Sequence, residues 1–119
     1  MGMNNRQTGS LYEDKAAQYL ASSGYSILER NYRCRRAEAD LVAREGKYLV
    51  FVEVKQRSSL RCGSGMEAVT PEKQKRICRA ARSYLYRYRL SARTPVRFDV
   101  VSCGPDGITL IRNAFEWLD

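Results

Sequence analysis

The spacing of apolar positions changes several times along the chain, and each change predicts an element. In LYEDKAAQYLASS (residues 11–23) the apolar side chains recur at helical spacing. Ser10 and Glu13 fit the Ser-x-x-Glu capping box ahead of it, and Gly24 supplies a C-terminal stop. YSILERNYRCR then mixes β-branched and aromatic residues, and AEADLVAR and KYLVFVEVKQ follow around the turn EGK, giving three strands in a meander. RSSLRCGSGMEAV is polar and glycine-containing, hence a loop. Thr70, Pro71 and Glu72 open a second helix with an N-cap, a first-turn proline and an acid near the dipole, running to about Leu90. Its apolar stripe is Ile77, Ala81, Tyr84, Leu85 and Tyr88, while Arg76, Arg79, Arg82, Arg87 and Arg89 crowd the remainder. VRFDVVS and ITLIRN read as two more strands joined by GPDG, and AFEWLD as a short amphipathic end whose Trp117 closes the core.

The order α-β-β-β-α-β-β predicts an α/β (α+β) domain with a mixed sheet, the second helix crossing between strands three and four and making them parallel. One domain over residues 1–119 is expected, with residues 1–9 as a flexible tail. Within residues 48–57, Leu49, Phe51, Glu53 and Lys55 point one way and Val50, Val52 and Val54 the other. Both faces are apolar, so the strand is central, and Glu53 and Lys55 stand at its end. Glu38 and Asp40 likewise share a face in strict alternation. A two-residue Gly46-Lys47 turn, glycine first, would pair Asp40 with Glu53, whereas a three-residue loop would separate them.

Charge and composition then narrow the chemistry. Lys and Arg number 21 against 13 Asp and Glu, a net charge of +8 that favours an anionic partner such as nucleic acid. A second copy of the chain, giving a homodimer, is a further candidate partner. No apolar run approaches the roughly 20 residues that cross a bilayer, and the N-terminal residues lack a signal core and a myristoylation pattern, so a cytoplasmic location without a membrane partner is expected. The four cysteines, Cys34, Cys62, Cys78 and Cys103, lack the close pairs of structural zinc sites and read as thiols. With no histidine in the chain, Ser/His and Cys/His catalysis is excluded, leaving carboxylates, lysines and a metal.

Glu-x-Lys occurs three times, and only one occurrence has a productive setting. Glu13 and Lys15 lie on a helix, where residues two apart do not share a face, and Glu45 and Lys47 flank a turn. Glu53 and Lys55 end a buried strand. Two carboxylates side by side there repel, and burying them costs several kcal/mol per charge unless a cation intervenes. Mg²⁺ (or Mn²⁺) answers this: it takes one or two carboxylates plus water and substrate oxygens, so Asp40, Glu53 and the Val54 carbonyl are the candidate metal ligands. Lys55 would orient a water or stabilise the developing negative charge of a hydrolysed phosphodiester.

GSLYEDKAAQYLASSGYSILERNYR, AEADLVA, LVFVEVKQR, AVTPEKQKRI and RFDVV, in that order, together resemble the YraN-like family, small bacterial relatives of the PD-(D/E)xK, or restriction-endonuclease-like, superfamily. The resemblance spans about Gly9 to Phe115. The family's acidic block usually reads Gly-Glu-Ile-Asp-Leu where this chain has Ala37-Glu38-Ala39-Asp40-Leu41, so both carboxylates are kept. The resemblance implies a restriction-endonuclease-like α-β-β-β-α-β core with a mixed central sheet flanked by helices. It further implies a metal-dependent endonuclease with catalytic Asp40, Glu53 and Lys55, and with Glu13 added from the first helix, as in Holliday-junction resolvases. Branched or damaged DNA is the corresponding substrate class, and Arg57, Lys73, Arg76 and Arg79 are candidate nucleic-acid contacts.

Each of these residues also has a plainer reading. Glu13 is explained by the capping box alone, Glu38 by solvation beside Lys55, Asp40 and Glu53 by ion pairs with arginines, and Lys55 by snorkelling from a sheet edge. The basic face of the second helix is equally a solubilising surface. Tyr84, Tyr86 and Tyr88 read as packing residues rather than base-stacking platforms. A non-catalytic nucleic-acid-binding module and a protein-interaction scaffold are therefore the alternative functions.

Overall fold

The computed structural model describes residues 5–57 and 69–118, with side chains from residue 11 onward. Helix α1 (Asn5–Ser22), strands β1 (Ser26–Cys34), β2 (Ala37–Glu45) and β3 (Tyr48–Gln56), helix α2 (Pro71–Arg87), and strands β4 (Val96–Gly104) and β5 (Gly107–Phe115) follow one another. The strands form one sheet in the order β1-β2-β3-β4-β5. Hairpins make β1–β2, β2–β3 and β4–β5 antiparallel, while the α2 crossover makes β3–β4 parallel. This is the expected mixed α+β arrangement, and it is compatible with a restriction-endonuclease-like core.

The central position of β3 follows from its sequence. Leu49, Val50, Phe51 and Val52 are all fully buried, each contributing about 1.5–3 kcal/mol. Leu49 and Phe51 pack towards α2 with Ile77, Cys78, Ala80, Ala81 and Tyr84. Val50 and Val52 pack towards α1 with Ala16 and Leu20. The helices therefore cover opposite faces of the sheet.

Helix boundaries show where local signals held. Thr70 is extended and its hydroxyl accepts the Lys73 N–H at 3.2 Å, capping α2 with Pro71 in the first turn. The helix ends at Arg87, short of Leu90, because Arg89 adopts a left-handed φ of 55° and the Leu90 N–H folds back onto the Leu85 carbonyl at 2.8 Å. Gly24 stops α1 as expected, with φ 96° and the Tyr25 N–H on the Leu20 carbonyl at 3.0 Å. The other end of α1 differs: the helix already runs from Asn5, through five of the residues expected as tail. Ser10 is thus inside the helix, and an N-cap must be non-helical, so the Ser10–Glu13 capping box does not form.

The C-terminal end differs as well. Ala114 and Phe115 complete β5, and Trp117 follows the strand at the rim, 40% exposed, edge-on to Phe98 and beneath the Arg82 guanidinium. It shields the core edge rather than closing it from within. Of the three tyrosines assigned to packing, Tyr84 is buried, Tyr88 caps α2 and leans on the Tyr84 ring, and Tyr86 is 88% exposed. The loop expected at residues 57–69 falls almost wholly outside the described residues, as does Cys62. Cys34, Cys78 and Cys103 are thiols.

Asp99 of RFDVV is a structural carboxylate. Fully buried, it accepts both arms of Arg97 (2.9 and 2.8 Å), the Tyr25 hydroxyl (2.6 Å) and the Asn113 N–H (2.9 Å). Four donors satisfy it, so the buried charge is tolerated. Burial and the bond to Asp99 push the Tyr25 phenol up, keeping it a neutral donor.

Candidate active site

The β2–β3 hairpin turns at Gly46-Lys47, with Gly46 at φ 57° and Glu45 opposite Tyr48, the even two-residue turn on which the acidic cluster depends. Pairing continues to Leu41 opposite Val52 and stops there. Physically, β1 and β2 exchange faces at this point. Ala39 belongs to the core beneath α2 while Leu41 belongs to the core beneath α1. On β1, Tyr32 lies in the α2-side core, but Arg30, two residues earlier, pairs with Asp14 of α1. Between them Asn31 takes a φ of 53°. Strict alternation therefore fails across Asp40. Its carboxylate points along the sheet rather than out of it, and Oδ2 accepts the Val54 N–H at 2.8 Å.

Where β2 parts from β3, a cavity of about 270 Å³ opens, reached by both helical layers. Tyr12 and Glu13 of α1, Glu38 and Asp40 of β2, Glu53, Val54 and Gln56 of β3, and Lys73, Arg76 and Ile77 of α2 line it. The structure thus brings Glu13, Asp40, Glu53 and Val54 together. Burial raises the Asp40 pKa most, the Glu53 charge adds to this, and Glu13 and Glu38 contribute further against the stabilising Val54 N–H. Glu53, only 6% exposed, is held by the Lys73 ammonium at 2.7 Å. Lys55, half-buried on the same strand face as Glu53, lies within side-chain reach of Lys73; burial lowers its pKa first and the neighbouring ammonium lowers it further.

Among the described residues no three Asp, Glu, Cys or His side chains are grouped so as to hold a metal ion by themselves. Mg²⁺ does not require one, since water and substrate oxygens complete its shell. The donor set fits such an ion in kind: hard oxygens from Asp40, Glu53 and the Val54 carbonyl, with negative charges that oppose one another.

The basic residues divide. Arg76 lines the cavity and is exposed, and Arg79 is exposed one turn further along α2. Arg57 points elsewhere: its guanidinium donates to Ser102 Oγ (2.7 Å) and Asp106 (2.8 Å), with its side chain 10% exposed. It packs where Gly104 has no side chain, an added Cβ falling 2.7 Å from its Cζ. Arg57 therefore ties the end of β3 to the β4–β5 turn instead of offering a phosphate contact. Glu38 faces Arg33 across the strands at 3.5 Å, not Lys55. The Lys73–Glu53 pair, together with Tyr12 and Gln56, was not foreseen. No local signal marks the pair, because Glu72 already supplies an acid to the first turn of α2 and Glu53 lies on a distant strand.

Comparison with known proteins places these residues in a family. The family model described as "Uncharacterised protein family UPF0102" matches residues 12–103. A UPF0102 protein of Lachnoclostridium phytofermentans is 52% identical over 114 residues, covering 96% of this chain and 97% of its own. A second, from Symbiobacterium thermophilum, is 49% identical over 117 residues (94% and 98%), and one from Legionella pneumophila is 42% identical over 115 residues (93% and 96%). Matched along nearly its whole length, with the acidic block, the Glu53-x-Lys55 strand and the α2 cap all inside the match, this chain belongs to the UPF0102, or YraN-like, family.

Proposed function

We propose that the protein is a divalent-cation-dependent endonuclease that hydrolyses phosphodiester bonds in DNA, with branched or damaged DNA as its substrate class. The observation that carries this reading is the meeting of Asp40 and Glu53 in one cavity at the end of the central strand, with Lys55 and Lys73 beside them. Asp40, Glu53 and the Val54 carbonyl would hold Mg²⁺ or Mn²⁺. When bound, the ion would supply Lewis-acid polarisation of the phosphodiester and offset the charge that builds on it. Glu13, from the opposite helix, adds negative charge to the ligand field. Its presence in the cavity, without the capping box that would otherwise explain it, favours a role in the site. Lys55, whose pKa burial and a neighbouring ammonium lower, would orient the attacking water or, as an ammonium, meet the developing charge. Arg76 and Arg79 would track the phosphates. The resemblance to the PD-(D/E)xK superfamily points the same way.

One observation favours a second reading. Lys73 already neutralises Glu53, so the cavity can persist without metal, as in a module that binds nucleic acid and cuts nothing. Incubating the protein with single-stranded, duplex, flap and four-way-junction DNA in Mg²⁺ or Mn²⁺ decides between them. Metal-dependent cleavage of any substrate supports the enzyme. Salt-sensitive binding with no cleavage and no calorimetric metal uptake supports the module, and the absence of both leaves a protein-interaction scaffold.

A further inference from the structure

Resting on that reading of the cavity, we infer that Lys73 is an exchangeable counter-cation: its ammonium occupies Glu53 until a divalent ion takes the carboxylate, and the displaced ammonium then meets a substrate phosphate at the cavity mouth. Metal entry and phosphate capture are thereby linked through one side chain.

Glu53 is almost wholly removed from water, and a buried carboxylate stays ionised at low cost only with a cation or hydrogen-bond donors beside it. Lys73 supplies one at 2.7 Å. The two partners are differently constrained. Glu53 is fixed on the central strand, whereas the Lys73 side chain is 39% exposed and only its backbone is held, by the cap from Thr70. Its stem can swing without disturbing α2. The position is otherwise a poor one for an ammonium, because the first turn of a helix carries partial positive charge and Lys55 lies alongside. The Glu53 carboxylate, at 2.7 Å, offsets both. A divalent ion sharing Glu53 would remove that offset and repel the ammonium. Outward, Arg76 stands on the same helix face at the cavity wall, where a phosphate would be met by two cations.

Linkage makes the exchange measurable from both sides. Lys73→Met keeps the stem and removes the charge, so it should bind Mn²⁺ about tenfold or more tightly than the parent protein by calorimetry, because nothing has to leave. In the parent protein, acetylation of Lys73 read by peptide mass spectrometry should rise several-fold when Mg²⁺ is added. Equal or weaker Mn²⁺ binding by the variant overturns the exchange while leaving the metal site standing. Metal binding by the variant alone supports both. Binding by neither protein overturns the metal site itself. Should Lys73→Met fail to fold, unchanged Lys73 acetylation on saturation of the parent with Mg²⁺ is sufficient to reject the exchange.

Discussion

Replacing Asp40 by Asn should stabilise the metal-free protein at alkaline pH while removing its response to metal, because this carboxylate is held against other negative charges. Burial and Glu53 raise its pKa from 3.8 to about 7. Between those values the folded state binds more protons than the unfolded state. Stability is therefore undiminished below about pH 4, falls as pH rises through the window, and carries the whole penalty above about pH 7. At full strength the displacement corresponds to about 4 kcal/mol at pH 8. Water at the cavity mouth screens the charges, reducing the expected value to about 1–3 kcal/mol. Asn keeps an acceptor for the Val54 N–H, so the comparison isolates the charge. Urea unfolding in EDTA, at half-unit steps from pH 4.5 to 8.5, should show the variant more stable by that amount at pH 8 and the difference shrinking towards zero in acid. Mg²⁺ should then restore the parent protein, by about 2.7 kcal/mol at a hundredfold excess over Kd, and the variant far less. A stability difference independent of pH, or a parent more stable than the variant at pH 8 without metal, would refute the electrostatic account of the cavity.

Three further outcomes are expected. Lys55→Ala should lower cleavage about a hundredfold or more with DNA affinity nearly intact; loss of affinity with unchanged cleavage at saturation would assign Lys55 to binding instead. DNA affinity should fall linearly in log salt, and Arg76→Ala should reduce that slope by about one; fluorescence anisotropy measures both, and a slope unchanged in the variant removes Arg76 from the phosphate track. Asp99→Ala strands the Arg97 guanidinium in the interior and should cost about 3–5 kcal/mol in chemical unfolding, and a loss below about 1 kcal/mol would mean that Glu45, also bound to Arg97, carries the charge alone.

The elements were legible where a side chain acts on its own backbone or on an alternating neighbour. Thr70, Pro71 and Gly24 marked helix ends, and Gly46 fixed the register that carries β2 alongside β3. Leu49 to Val52 announced the central strand because they place apolar side chains alternately on both of its faces. What escaped was set by several elements at once. Asn31 left-handed within a strand has no clear sequence signature, and with it went the face exchange that turns Asp40 into the sheet plane. Ser10 mimicked a cap because the capping box is a four-residue pattern, while the helix was decided by its continuation back to Asn5. Arg57 looked like one more surface cation until the glycine at position 104 and Asp106, distant in sequence, claimed it. The Glu53–Lys73 pair joins a strand end to a helix start, a contact visible only once the crossover is folded.

The in-plane setting of Asp40 bears on the order in which the site assembles. Its bond to Val54 spans 14 residues through a single hairpin and needs nothing else from the fold, so it belongs to the contacts that a chain closes early, with little loop entropy to overcome. Glu13 and Lys73 reach the same cavity from helices on opposite faces of the sheet. A nascent chain with either helix undocked holds Asp40 near Val54 but has only part of the charge constellation around it. The full set of charges around the cavity is thus assembled only when both helices have docked.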